Sequence, residues 1–405
     1  MLGYLLIFPV FSQAMARILH IGKYFPPFHG GIENFMADLM PAQTRQGETV
    51  AALVHDHHPH WQRFFSAVQA EQRPDNQLLY RAPCYGRLLY APISPQFPVW
   101  LDKVIQRYQP NILHFHLPNT SAFWALFSKR ARHCPWVVHW HSDVISHFHP
   151  LLKTAYQVYR PFEQRFLKQA QAIIVTSPPY LKASPALTPW QDKCHIVPLG
   201  IASQRLPKAD DVALAWANQQ WQAGKIRLFS VGRLTYYKGY EILIRAMQNL
   251  ADAQLCIVGE GELKPRLQAL IKTLDLQARV TLLGRCDAQQ LAGLFTTSDI
   301  YCLSSLERTE AFGMVLLEAM YYGKPIVASR IQGAGVMWVV EDGKTGQLVE
   351  PNSVPALVAG LQHLIANPHE REQFVRQAYQ RFNDLFTIES VAEKISTIYA
   401  DCLTH

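Results

Sequence analysis

The sequence predicts an α/β protein made of two doubly wound parallel sheets, one after the other along the chain. Three observations predict it. Short apolar runs of strand length alternate with stretches of helical spacing, once between Arg17 and Val197 and again between Ile226 and Ala328. The 405 residues suffice for two separate cores, and with 49% apolar residues disorder is not expected. Between the two runs, Val197-Pro198-Leu199-Gly200 breaks the pattern, and the stretch to Gly224 reads as a hinge with a lead-in helix. The expected boundaries are an extension over 1–15, a first domain over 16–200, a second over 201–385, and a final helical segment over 386–405 that crosses back onto the first domain.

Residues 1–14 are apolar but too short to span a bilayer and lack a basic flank. Met15 reads as a natural start, with Met1 an upstream start or the head of a small extension. The first strand runs to Ile21, and a loop then leads to Gly30-Gly31 and a helix with Phe35, Met36 and Leu39 on one face. Two glycines at a helix entry let a ligand approach the backbone N–H groups closely, or simply start the helix. Val50–Val54 is the next strand. The His55–His60 stretch holds four histidines and one aspartate, but without ligand-type spacing it reads as a polar loop.

Residues 77–100 mix Tyr80, Arg81, Tyr85, Arg87, Leu88, Leu89, Tyr90, Phe97 and Trp100. This suits either an acceptor- or membrane-facing surface or ordinary packing beneath a loop. Further strands are expected at 112–115, 136–140, 172–176 and 195–197. The strand 136–140 delivers His141-Ser142-Asp143 at its carboxyl end. His114 and His116, in the run His-Phe-His, are weaker candidates for the acceptor side.

In the second half, strands are expected at 226–231, 255–258, 280–283, 300–303 and 326–328. The first leads into Gly232-Arg233, with Lys238-Gly239 opening a helix. Two cations on one strand-to-helix loop can grip one diphosphate. The fourth leads through a polar turn into a helix from Met314, ended by Gly323 and Pro325. The N–H groups of Gly313, Met314 and Val315 are donors at the positive end of a helix dipole. Glu310 and Glu318 bracket them, either as ligands for sugar and ribose hydroxyls or as ordinary acids near a helix start.

Taken together, Gly232-Arg233-x4-Lys238-Gly239, Val258-Gly259-x-Gly261 and Glu310-Ala-Phe-Gly-x4-Glu318-Ala319 resemble the donor half of the retaining family 4 glycosyltransferases. Gly30-Gly31-Ile32-Glu33 and His139-Trp-His141-Ser-Asp143 extend the resemblance over nearly the whole chain, although Ser142 departs from the usual His-Gly-x-Asp. The resemblance implies the GT-B fold and a UDP- or GDP-sugar donor, with no cofactor and no metal in the site. It implies donor contacts at Gly30, Gly31, Arg233, Lys238, Arg285, Glu310, Phe312, Gly313, Met314, Val315 and Glu318. His141, Arg233, Lys238 and Glu310 would be the catalytic group, with Glu318 on the ribose and Arg285 where the base packs. Asp143, and more weakly His116, would face the acceptor, a saccharide or polyprenyl-linked saccharide of a bacterial surface polysaccharide or lipopolysaccharide. Retention would proceed by same-face attack, the leaving phosphate taking the acceptor's proton. A GT-B nucleotide-sugar epimerase, a phosphorylase or a catalytically silent binding protein are the other readings. A Rossmann oxidoreductase is disfavoured, since no G-x-G-x-x-G follows the first strand.

Seven scattered cysteines without C-x-x-C pairing point to a reduced, cytoplasmic protein without structural zinc. Charge is uneven. Residues 1–200 hold 18 Lys and Arg against 10 Asp and Glu, and the remainder 20 against 21. A basic first half suits peripheral contact with an anionic membrane, or an anionic acceptor. No nucleic-acid-binding module is present.

Overall fold

The computed structural model describes residues 16–28, 30–57, 67–88, 91–144 and 150–404. The expected extension, His58 and His60, and Leu89 and Tyr90 lie outside the described residues.

The first half contributes β1 (Arg17–Ile21), β2 (Thr49–His55), β3 (Ala70–Gln72) and β4 (Leu78–Ala82), then a short hairpin of β5 (Arg87–Leu88) and β6 (Ala91–Pro92). After these come β7 (Ile112–Leu117), β8 (Trp136–Trp140), β9 (Ala172–Val175) and β10 (Cys194–Ile196). Eight of them form one sheet in the order β10-β9-β8-β7-β1-β2-β4-β3, parallel except for the terminal β3–β4 pair. The second half contributes β11 (Ile226–Val231), β12 (Ala253–Val258), β13 (Val280–Gly284), β14 (Ile300–Leu303), β15 (Ile326–Ser329) and β16 (Gln347–Val349). These form an all-parallel sheet ordered β13-β12-β11-β14-β15-β16.

The central strands are buried on both faces because helices cover both, so apolar residues run through them rather than alternating with exposed polar ones; His20, His114, His116 and His139 of the first sheet are among the buried exceptions. Ile18, Leu19, Leu228, Phe229, Ile300 and Cys302 are all fully buried. In each sheet the order of the strands reverses beside the first strand of that half: β1 lies between β2 and β7, and β11 between β12 and β14. A crevice opens at such a switch point, outside the carboxyl ends of the strands.

The helix Gly31–Arg45 buries Phe35, Met36, Leu39 and Met40. It packs against the last helix, Ile388–Thr404, through Ile388, Val391 and Ile395 in one apolar cluster. Gln43 bonds Tyr399 and Arg45 pairs with Glu389 across the same contact. Asp38, from the same helix, accepts from the Ala202 N–H and from Arg205, which straps the hinge to the first half. Much of the 77–100 segment is packing rather than open surface: Tyr80, Phe97 and Trp100 are buried, whereas Leu88 is 65% exposed.

Candidate active site

The loops at the two switch points build the site. After β11 the chain turns through Gly232 to Gly239, whose φ of +65° suits glycine. A Cβ at Gly239 would meet the Ser304 carbonyl oxygen at 2.0 Å, so the β11 loop lies directly on the loop that follows β14. That contact brings together two residues 72 positions apart. Lys238 Nζ lies 2.5 Å from Glu310 Oε2, with the two side chains only 11% and 10% exposed. Ser305 Oγ donates to the same carboxylate oxygen at 2.8 Å. Burial works against charge on Lys238, but Glu310, with Tyr237 and Tyr240, outweighs it, so the ammonium titrates above its usual range.

The helix Met314–Tyr321 begins directly beyond. Its N-cap, Gly313, sits at φ +81° and no side chain caps the helix. The Leu316 N–H closes onto the Gly313 carbonyl, and the donors at 313–315 stay available to an anion. Gly31 of the first half lies opposite: a Cβ there would approach Met314 Cγ at 3.9 Å. The two glycine-entered helices thus face each other across the crevice. Glu318, one turn inside, is raised above the usual carboxylate range by burial, with Arg205 and Lys238 opposing and Asp38 reinforcing the shift.

Several expected residues sit differently. Arg233 does not join Lys238 on a shared partner; it is 63% exposed and reaches Glu262 at 3.7 Å. Arg285 is exposed just past β13. The Phe312 ring is buried near Trp338 and Phe386, so only its backbone borders the site. Asp143, expected to face the acceptor, already has both carboxylate oxygens engaged. Trp140 Nε1 and Ser184 Oγ donate to Oδ1, and Arg308 of the second half donates to Oδ2. His116 is 1% exposed and held between His20 and His141 inside the first half, not on an open acceptor wall. His141 itself is 4% exposed, and burial lowers its pKa to about 3, so the ring is neutral.

Sequence reasoning missed Ser305, Tyr237 and Arg308. Ser305 carries a signal only once Glu310 is assigned, as the hydroxyl at its side. Nothing local to Arg308 marks it as a partner of Asp143, 165 positions away.

Residues 30–200 match the family model described as glycosyl transferase 4-like domain, and residues 216–381 match glycosyl transferases group 1. The D-rhamnosyltransferase WbpZ of Pseudomonas aeruginosa is 30% identical over 382 residues, 92% of each chain. The chain is a glycosyltransferase of the group 1 family. A second relative of this glycosyltransferase, the O-antigen chain mannosyltransferase C of Escherichia coli, is 26% identical over 96% of this chain and 99% of its own. Among solved structures, Anabaena HepE in complex with UDP-glucose superposes with a TM-score of 0.72 at 20% identity, covering 95% of this chain and 99% of that one. The two facing α/β halves of the glycosyltransferase are the GT-B fold.

Proposed function

We propose that this glycosyltransferase moves a hexose or deoxyhexose from a nucleoside-diphosphate sugar onto a saccharide or lipid-linked saccharide of a bacterial surface polysaccharide, with retention at the anomeric carbon. The observation that carries the reading is the buried Lys238–Glu310 pair beside an uncapped helix N-terminus at the switch point. Departure of the diphosphate builds negative charge. The ammonium of Lys238, the exposed guanidinium of Arg233 and the N–H groups of 313–315 supply fixed positive potential to meet it, as in an oxyanion hole. Glu310 holds Lys238 charged and, when a donor enters, shares it with the phosphate while accepting from sugar hydroxyls. Glu318 accepts from the ribose. The leaving phosphate itself takes the acceptor's proton, so the reading calls for neither a metal nor a cofactor.

The relatives support the substrate class: two are named for D-rhamnose and mannose transfer, one of them on the O-antigen chain, and the HepE structure contains UDP-glucose. Membrane contact has its own support. Trp124 and Phe127 are 44% and 61% exposed, directly before the Lys129–Arg132 run with its three cations. Aromatic and cationic side chains side by side suit an anionic bilayer surface. Among the described residues no helix is long and apolar enough to cross a membrane.

Thermal shift against UDP, GDP and their sugars, followed by product analysis with and without a saccharide acceptor, tests the reading. A donor that stabilises the protein, and is consumed only when acceptor is present, is expected. A donor converted to another nucleotide sugar without acceptor would point to an epimerase instead.

A further inference from the structure

The first sheet carries five histidines on one face: His20 of β1, His114 and His116 of β7, His139 of β8, and His141 just beyond it. Parallel register sets His20 beside His114 and His116 beside His139. None is more than 4% exposed. Four of them join a continuous chain of hydrogen bonds with two side chains from the helices above. His141 Nε2 meets His116 Nδ1 at 3.0 Å, and His116 Nε2 meets His20 Nδ1 at 3.0 Å. His20 Nε2 meets Gln43 Oε1 at 2.8 Å, and Gln43 Nε2 donates to the Tyr399 hydroxyl at 3.0 Å. Tyr399, on the last helix, then closes onto His114 Nδ1.

A neutral imidazole has one N–H and one lone pair, so fixing one member of such a chain fixes every other. The Gln43 amide is the member that cannot act both ways at one atom. Its oxygen faces His20, which requires Nε2–H there and a lone pair on Nδ1. His116 must then donate from Nε2 and accept at Nδ1, and His141 must carry its proton on Nε2. The lone pair left over is on His141 Nδ1, a buried atom that has no partner among the described residues. We infer that Gln43, oriented by Tyr399 of the last helix, sets the tautomer of His141 through His20 and His116, leaving Nδ1 as the nitrogen of the His141 ring that can accept a hydrogen bond from a bound sugar. Gln43 and Tyr399 are positioning residues in this scheme. Its catalytic consequence rests on the reading of His141 as a neighbour of the transferred sugar.

Two sets of three ring nitrogens in this cluster lie within 4.8 Å of one another, close enough to ask whether they hold a metal ion. Ring geometry favours the relay. The His116 and His141 planes differ by 17°, with centroids 5.3 Å apart and the bonding nitrogens 3.0 Å apart, so the rings meet tip to tip. Ligands of one ion would instead aim both lone pairs at a common third point. His139 stacks on His141 at 4.2 Å and 2°, which sets the ring planes parallel rather than converging.

Long-range nitrogen–proton NMR spectra of the full chain labelled with ¹⁵N-histidine, together with steady-state kinetics, test the relay. The wild-type His141 ring is expected to show an Nε2–H and an unprotonated Nδ1. Gln43→Leu should turn His141 into a tautomer mixture and lower kcat about tenfold with donor KM nearly unchanged, the size seen when an outer hydrogen-bond partner is removed. Gln43→Glu keeps an acceptor for His20 and should restore both the spectrum and the turnover. Tyr399→Phe, which preserves the ring packing, should shift His141 in the same direction by less. Unchanged His141 signals in both Gln43→Leu and Tyr399→Phe would overturn the inference, as would one equivalent of tightly bound zinc in the purified wild type. A changed tautomer with undiminished turnover would uphold the relay and remove His141 from the reaction.

Discussion

Asp143 and Arg308 meet at 2.9 Å and tie the first half of the glycosyltransferase to the second beside the cleft. Arg308 also donates to the Gly333 carbonyl and stacks over the Tyr180 ring at 4.7 Å. Asp143 is therefore a strut, with donors from both halves converging on it. Asp143→Ala strands Arg308, Trp140 and Ser184 together, and urea unfolding should show a loss of about 2–4 kcal/mol, the range for breaking a largely buried charged network. Arg308→Ala leaves Asp143 its other donors and should cost roughly half as much. Equal losses in the two variants would contradict the strut.

The buried histidines of the first half, the five of the cluster and His55, make stability depend on acid. His20 and His55 are lowered to about 4 and His141 to about 3 by burial, and His114, His116 and His139 lie well below the usual value for the same first reason. These groups bind protons in the unfolded chain near 6.5 and in the folded chain only at much lower pH. The unfolded state therefore holds more protons between these values, and stability falls as pH drops through 6.5 toward about 4. Acting together, these six groups make stability fall steeply over that range. His139 has both ring nitrogens without partners among the described residues. His139→Leu should leave the protein at least as stable at pH 7 and flatten the acid slope. A clear loss of stability at pH 7 would count against an unbonded His139.

Glu318 offers a test confined to the ribose. Glu318→Ala should raise the KM for a ribonucleoside-diphosphate sugar about tenfold or more, the worth of a hydrogen bond to a charged group. With a 2′-deoxyribose donor the same substitution should change much less, and equal effects on both donors would remove Glu318 from the ribose.

Trp124→Ser with Phe127→Ser should reduce binding to vesicles containing phosphatidylglycerol severalfold while leaving transfer to a water-soluble acceptor unchanged. Sedimentation with such vesicles measures it, and undiminished binding would mean that this patch is not the contact.

The fold was legible because strands buried on both faces are largely apolar, and runs such as Leu255–Val258 and Ile300–Leu303 carry that mark wherever they occur. β4 escaped because Tyr80 and Arg81 give it a polar look, although Tyr80 turns inward and Arg81 pairs with Glu71. β16 is too short at three residues to show any period. In the site, the residue types were readable and their pairing was not. Lys238 and Glu310 stand on different loops, and only the contact of Gly239 with Ser304 joins them. The histidine ladder was hidden for a similar reason: alternation puts His114 with His116 and His139 with His141, but the register between β1, β7 and β8 is a property of the folded sheet.

The central claim is that Lys238 meets the charge of the departing diphosphate, and Lys238→Ala tests it most directly. Steady-state transfer by the folded variant, with the acceptor varied at saturating donor, should show kcat reduced on the order of 10²–10³-fold and acceptor KM within about threefold of wild type. Unchanged kcat, or a loss carried by acceptor KM alone, would contradict the account.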